Sequence, residues 1–286
     1  MKCAKILVIL LISWCKCPNV YAQSVPNNNT KPIPCPPTQA NQKKPVPYAY
    51  VREADVMWSK WIWRTLDLRE KINEPLYYPL DEDLCQNSLW EVIKRSVMEG
   101  KIIAYGKPAF DDEFNYPLTI SEAKSIIYLF DTIQTTDPNT NITEDTVIKS
   151  ELKPEHIKRY WVKEDWFFDK ERSVMEVRIV GICPLMEKVD KSTGDFRGYS
   201  PLFWLYYNEC RPVFASEPVL WWKANTAAKP SLDDIFEKRI FSSFIHKESN
   251  VYNRSIIEYQ QGMGALLESE KIKEEIFNFE HDLWHY

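Results

Sequence analysis

The chain has 286 residues, a formal net charge of −5 and seven glycines. The acidic balance argues against nucleic acid and anionic lipid as partners. Without a GxGxxG or GxxxxGKS/T pattern there is no phosphate-cradling loop, so neither nucleotide use nor any other cofactor is expected.

Lys2 and Lys5 precede an apolar run from Ile6 to Trp14, and Val20-Tyr21-Ala22 places a small residue at the end of this stretch. That order predicts a signal peptide over residues 1–22, cut before Gln23. The run is far shorter than the ~20 residues of a spanning helix. Cys15 follows Trp14 and Cys17 follows Lys16, which are not the small residues that precede an acylated cysteine. Removing residues 1–22 takes away three lysines and no acid, so the charge moves from −5 to −8. Four cysteines remain, Cys35, Cys85, Cys183 and Cys210, in a compartment where disulfides persist. Their wide spacing offers no CxxC pair, and they are expected to be buried or bridged.

Residues 23–47 are dominated by Pro, Asn, Gln and Lys and predict an extended tether, with a globular region over 48–286. Asp55 to Glu70 is rich in helix formers and, wound as a helix, leaves only Lys60, Arg64 and Asp67 on a polar arc. Such a helix must be covered on several sides, by its own domain or by another subunit. Ser88 caps a second helix through Leu89, Val92, Ile93 and Val97. Gly100 ends it before a strand at Ile102 to Tyr105. A third helix starts at Thr119 or Ser121, followed by a polar loop from Asp131 to Thr146.

Tyr160 to Phe168 and the alternating Val174 to Ile182 predict strands, with a turn at Lys191 to Asp195. Phe203 to Tyr207 and Arg211 to Phe214 are read as further strands, all joined as an antiparallel meander by short connections. Ser231-Leu232-Asp233-Asp234 repeats the Ser88 scheme, with Phe244-Ile245 where a strand would follow, as a degenerate repeat or by chance. The last helix sets Ile272, Ile276, Phe279 and Leu283 on one face and pairs Lys271 with Glu275. The fold class is therefore α+β, with helices at both ends around a central meander. The region is either one domain or two similar lobes, 48–150 and 151–286.

Three blocks carry a resemblance: DVMWSKWIWRTLDLREKINEPLYYP (55–79), KPSLDDIFEKRIFSSFIHKESNVYNR (229–254) and LLESEKIKEEIFNFEHDLW (266–284). Together they resemble the GldN/PorN family. The resemblance implies a non-enzymatic scaffold of type IX secretion and gliding motility in the periplasm. It further implies self-association in a ring with a GldK/PorK-like outer-membrane lipoprotein. Contact with a GldM/PorM-like motor subunit would complete the assembly. It supplies no catalytic residue.

The residues themselves suggest two further chemistries. His281 and His285 lie one helical turn apart and could share a cation, but Asp282 stands where a zincin has Glu. Eleven Trp and the pairs Asp111-Asp112 and Asp233-Asp234 could serve a glycan-binding module or a glycan-cleaving enzyme. Asp233-Asp234 reads more simply as the acidic first turn of a helix. For a subunit contact, Trp, Tyr and Arg are the usual anchors, which singles out Trp58, Trp61, Arg64, Arg69, Tyr77 and Tyr78.

Overall fold

The structure, a computed structural model, describes residues 43–80, 86–106, 112–136, 143–190, 194–221 and 230–283. The leader, the tether up to residue 42, Cys35, Cys85, Asp111, His285 and positions 191–193 of the expected turn lie outside the described residues. The architecture is α+β, as the composition and spacing predict.

Asp55 to Glu70 is not a helix. It forms strand β1 (Val56–Asp67), paired antiparallel on one side from Val56↔Asp169 to Asp67↔Arg159. The reason is visible in its burial: Ile62 and Leu66 on one face and Trp63 and Thr65 on the other are all buried. A strand covered on both faces shows no clean alternation, and on a helical wheel such a segment looks apolar all round. Its run of aromatic and β-branched residues suits a pleated surface.

A short helix α1 (Glu74–Tyr77) follows, then α2 (Leu89–Met98), whose cap Ser88 accepts the Glu91 amide at 3.3 Å. Strand β2 (Ala104–Tyr105) leads to α3 (Ile120–Ile127), held by a Thr119–Glu122 capping box. The expected loop after it is instead largely a β-hairpin, β3 (Tyr128–Thr136) and β4 (Thr143–Glu151). Its sequence contains Thr132, Ile133, Thr135 and Thr136, which have strand propensity despite their polar neighbours.

Strands β5 (Ile157–Asp169) and β6 (Val174–Val189) form the long central pair, extended by β7 (Phe196–Pro201) and β8 (Trp204–Tyr206). Arg211 to Phe214, expected as a strand, belongs to helix α4 (Tyr207–Ser216). Four residues fit either period, and helical spacing is what buries Tyr207, Cys210, Arg211 and Phe214 together. Helix α5 (Leu232–Glu237) is capped by Ser231, followed by β9 (Phe244–Glu248), α6 (Ile256–Tyr259) and α7 (Met263–Asp282).

The main sheet runs β2-β8-β6-β5-β1-β9, with β7 also on β6. Strands β5 to β8 are thus bounded on one side by β1, with β9 at the edge beyond it, and on the other side by β2. The two Ser-capped helices, α2 and α5, precede strands at opposite edges of this sheet. The principal core draws Leu66, Trp90, Ile127, Tyr160, Phe203 and Phe236 into one cluster. A second core, of Ile62, Ile245, Ile256, Ile272 and Ile276, fastens α6 and α7 to the other end.

Candidate functional site

The pleat of β1 divides the six predicted anchors. Trp58 and Arg64 point to the face covered by α7. Trp58 stacks on Phe279 with ring centroids 4.8 Å apart. Arg64 Nε donates to Ser243 Oγ at 2.8 Å and its Nη2 to the Ser243 carbonyl at 3.0 Å. Burial lowers the Arg64 pKa from its ordinary value.

Trp61 lies on the opposite face and keeps 38% of its surface exposed. Lys163 reaches up from β5 beneath it, with Nζ 4.1 Å from the Trp61 ring centroid and 5.2 Å from that of Trp63. Cation–π contact of this kind offsets part of the cost of burying an ammonium. Lys163 is only 3% exposed, and its Nζ donates to the Asp112 carbonyl at 2.7 Å. Burial pulls its pKa down while Asp112 and Glu113 oppose that shift. Lys247 of β9 stands over the Trp63 ring at 4.3 Å. Phe114 closes over the neighbouring strand, and a Cβ added at Gly181 would come within 2.5 Å of its ring.

Beside this cluster the His246 ring stacks on Trp161 at 5.1 Å, and its Nδ1 is 3.0 Å from Thr65 Oγ1. Burial, helped by Lys247, lowers the His246 pKa to about 3. The native state therefore keeps the imidazole neutral where the unfolded chain, with a pKa near 6.5, takes up a proton. Stability from this site is complete above about pH 6.5 and falls as pH drops toward 3. Between pH 6.5 and 5 the loss is about 2 kcal/mol, at about 1.4 kcal/mol per pH unit. Thermal midpoints measured over that range should fall, and His246→Gln should flatten the dependence. An unchanged slope in the variant would remove His246 as its source.

Arg69, Tyr77 and Tyr78 form a third group past the end of β1. Asp67 receives Arg69 through Nε at 3.0 Å and Nη2 at 2.7 Å, and Arg159 Nε at 3.0 Å. Burial alone would raise the Asp67 pKa, but the Arg69 hydrogen bonds and the two cations bring it down to about 2. Lys158 Nζ donates to the Tyr77 hydroxyl at 2.8 Å, and Tyr78 packs edge-on against Tyr77.

The other candidates have structural partners. Asp234 closes the α5 capping box, and Asp233 accepts the Tyr207 hydroxyl and Arg211 Nε. His281 is exposed, with Nδ1 3.9 Å from the Asp282 carboxylate. Among the described residues no group of three or more His, Cys, Asp or Glu is placed to hold a metal ion. Cys183 and Cys210 are free, buried thiols whose pKa burial raises. No described helix is long and apolar enough to cross a membrane. Lys163, His246 and Lys247 escaped sequence reasoning because a single Lys or His in a strand carries no motif.

Fold and site together define an α+β domain that displays aromatic and charged side chains on a sheet face and along a terminal helix. The model of a family described as GldN, Gliding motility associated protein GldN, matches residues 51–285, so the chain belongs to that family. It is a structural component of the gliding-motility and type IX secretion machinery. Comparison with curated proteins finds no match.

Proposed function

We propose that this protein is a non-catalytic ring subunit of the periplasmic part of type IX secretion. It stacks on a GldK/PorK-like outer-membrane lipoprotein and couples to a GldM/PorM-like inner-membrane motor subunit. Export follows from the leader at residues 1–22, and attachment to the outer membrane comes through the lipoprotein. The observation that carries this reading is a family match across nearly the whole described domain, in which a large aromatic, Trp61, remains open on the sheet face.

Trp61, Trp58, Arg64, Arg69, Tyr77 and Tyr78 are the proposed contact residues. Trp61 is the sharpest test, because it is exposed while Trp58 and Arg64 are already engaged within the chain. Trp61→Ala should weaken assembly by about 2 kcal/mol, as expected of an interface anchor, over and above the modest drop in the melting temperature of the free protein that follows from uncovering Lys163. Co-purification of the lipoprotein from solubilised outer membranes, read beside thermal melting, makes the measurement. A variant that assembles normally would remove Trp61 from the interface, and a wild-type monomer with glycan affinity would overturn the scaffold reading itself.

A further inference from the structure

Helix α7 carries two lengthwise rows of side chains. Ala265, Ser269, Ile272, Ile276 and Phe279 form the row packed on the sheet, where Ser269 Oγ accepts the Ile245 amide at 3.1 Å. The adjacent row is Leu266, Glu270, Lys273, Phe277 and Glu280, spaced alternately four and three residues apart as in a helix-packing seam. Leu266 is 53% exposed and Phe277 65% exposed. Between this second row and the sheet runs an open groove of about 400 Å³, lined from the sheet by Arg64, Trp166 and Ile245 and from the helix by Ile276 and Phe277.

The charges around it are uneven. Arg64 is committed to Ser243, and Lys273 lies 3.5 Å from Glu270. Glu274 and Glu280 also line the groove, and no described side chain pairs with either. An apolar floor with open carboxylates at its rim suits a ligand that offers apolar side chains flanked by cations. The seam spacing of the exposed row suits a helix rather than a strand. A second copy presenting its own α7 is a poor match, because Met263 to Asp282 holds six acids against two lysines and a symmetric pairing would oppose like charges.

We propose that the groove beside α7 is the docking site for a basic amphipathic helix of a partner protein. The site names a partner chemistry for the scaffold proposed above, and it rests on that reading only in taking the ligand to be protein.

The test uses the full mature chain, titrated calorimetrically with a synthetic helical peptide of Leu, Lys and Ala and with the same peptide carrying Glu for Lys. The Lys peptide should bind, more weakly as salt rises, and the Glu peptide should bind at least about tenfold more weakly. Phe277→Ser and the double variant Glu274→Lys with Glu280→Lys should each lose about tenfold in affinity for the Lys peptide without lowering the melting temperature. Absence of binding, equal affinity for both peptides, or indifference to both variants would overturn the proposal. So would self-association in sedimentation that Phe277→Ser abolishes, which would assign the face to a second copy. Lipoprotein co-purification is read separately, so failure of the groove and failure of the ring are distinguishable.

Discussion

Arg211→Met should destabilise the protein by about 3–5 kcal/mol, the range for a buried charge stripped of its partner. Arg211 is 5% exposed and its Nε lies 3.2 Å from Asp233 Oδ1 and 3.6 Å from Glu237 Oε1. Its removal leaves the buried Asp233 carboxylate with the Tyr207 hydroxyl, 3.0 Å away, as its remaining side-chain donor. The same guanidinium donates through Nη2 to the Val46 carbonyl at 2.7 Å and lies 4.2 Å from the centre of the Tyr48 ring. Tyr48 in turn donates to Glu237 at 2.5 Å, and Lys43 pairs with Asp234 at 3.2 Å. Among the described residues the domain's hold on the chain thus reaches Lys43, inside the stretch read as tether. The variant should therefore also open residues 43–50 to protease. Denaturant midpoints give the first effect and limited proteolysis the second. Adding Asp233→Asn should recover much of the lost stability, because it removes the uncompensated charge. A loss below about 1 kcal/mol in the single variant would mean that the network holds without its cation.

Trp90→Ala should have a comparable effect, about 3–5 kcal/mol, through the cavity it leaves. The side chain is 1% exposed, its ring lies 6.3 Å from that of Phe203, and Nε1 donates to the Leu152 carbonyl at 2.9 Å. It therefore ties α2 both to the segment after β4 and to the chain around β8. Trp90→Phe retains most of the apolar volume but not the donor, and should cost about 1–3 kcal/mol. Equilibrium denaturation of the two variants separates the contributions. Equal losses would show that the hydrogen bond, rather than the ring, dominates.

Local signals were legible wherever the chemistry is local. Ser88, Thr119 and Ser231 each accept the amide three residues on, and a cap needs only neighbours in sequence. The buried row of α7 and the Lys271–Glu275 pair at 3.8 Å are where a 3.6-residue period puts them. The candidate site was legible in type and not in arrangement. Trp58, Trp61 and Arg64 were singled out by residue type, but a helical wheel set Arg64 on a polar arc and the two tryptophans elsewhere, whereas the pleat of the strand puts Trp58 and Arg64 on one face and Trp61 on the other.

By itself, the sequence determined the α+β class, the capped helices, the central β5–β6 pair and, through three blocks of residues, the family. Those features follow from contacts between near neighbours or from residue order. The tertiary structure decided that β1 is a strand, because its partners Asp169 and Glu248 lie far along the chain and supply the hydrogen bonds a helix would have made internally. It also decided which anchors are spent inside and which remain open. The pleat sends alternate residues to opposite faces, and the packing of α7 on one of them partly covers Trp58 while Trp61 on the other stays more exposed.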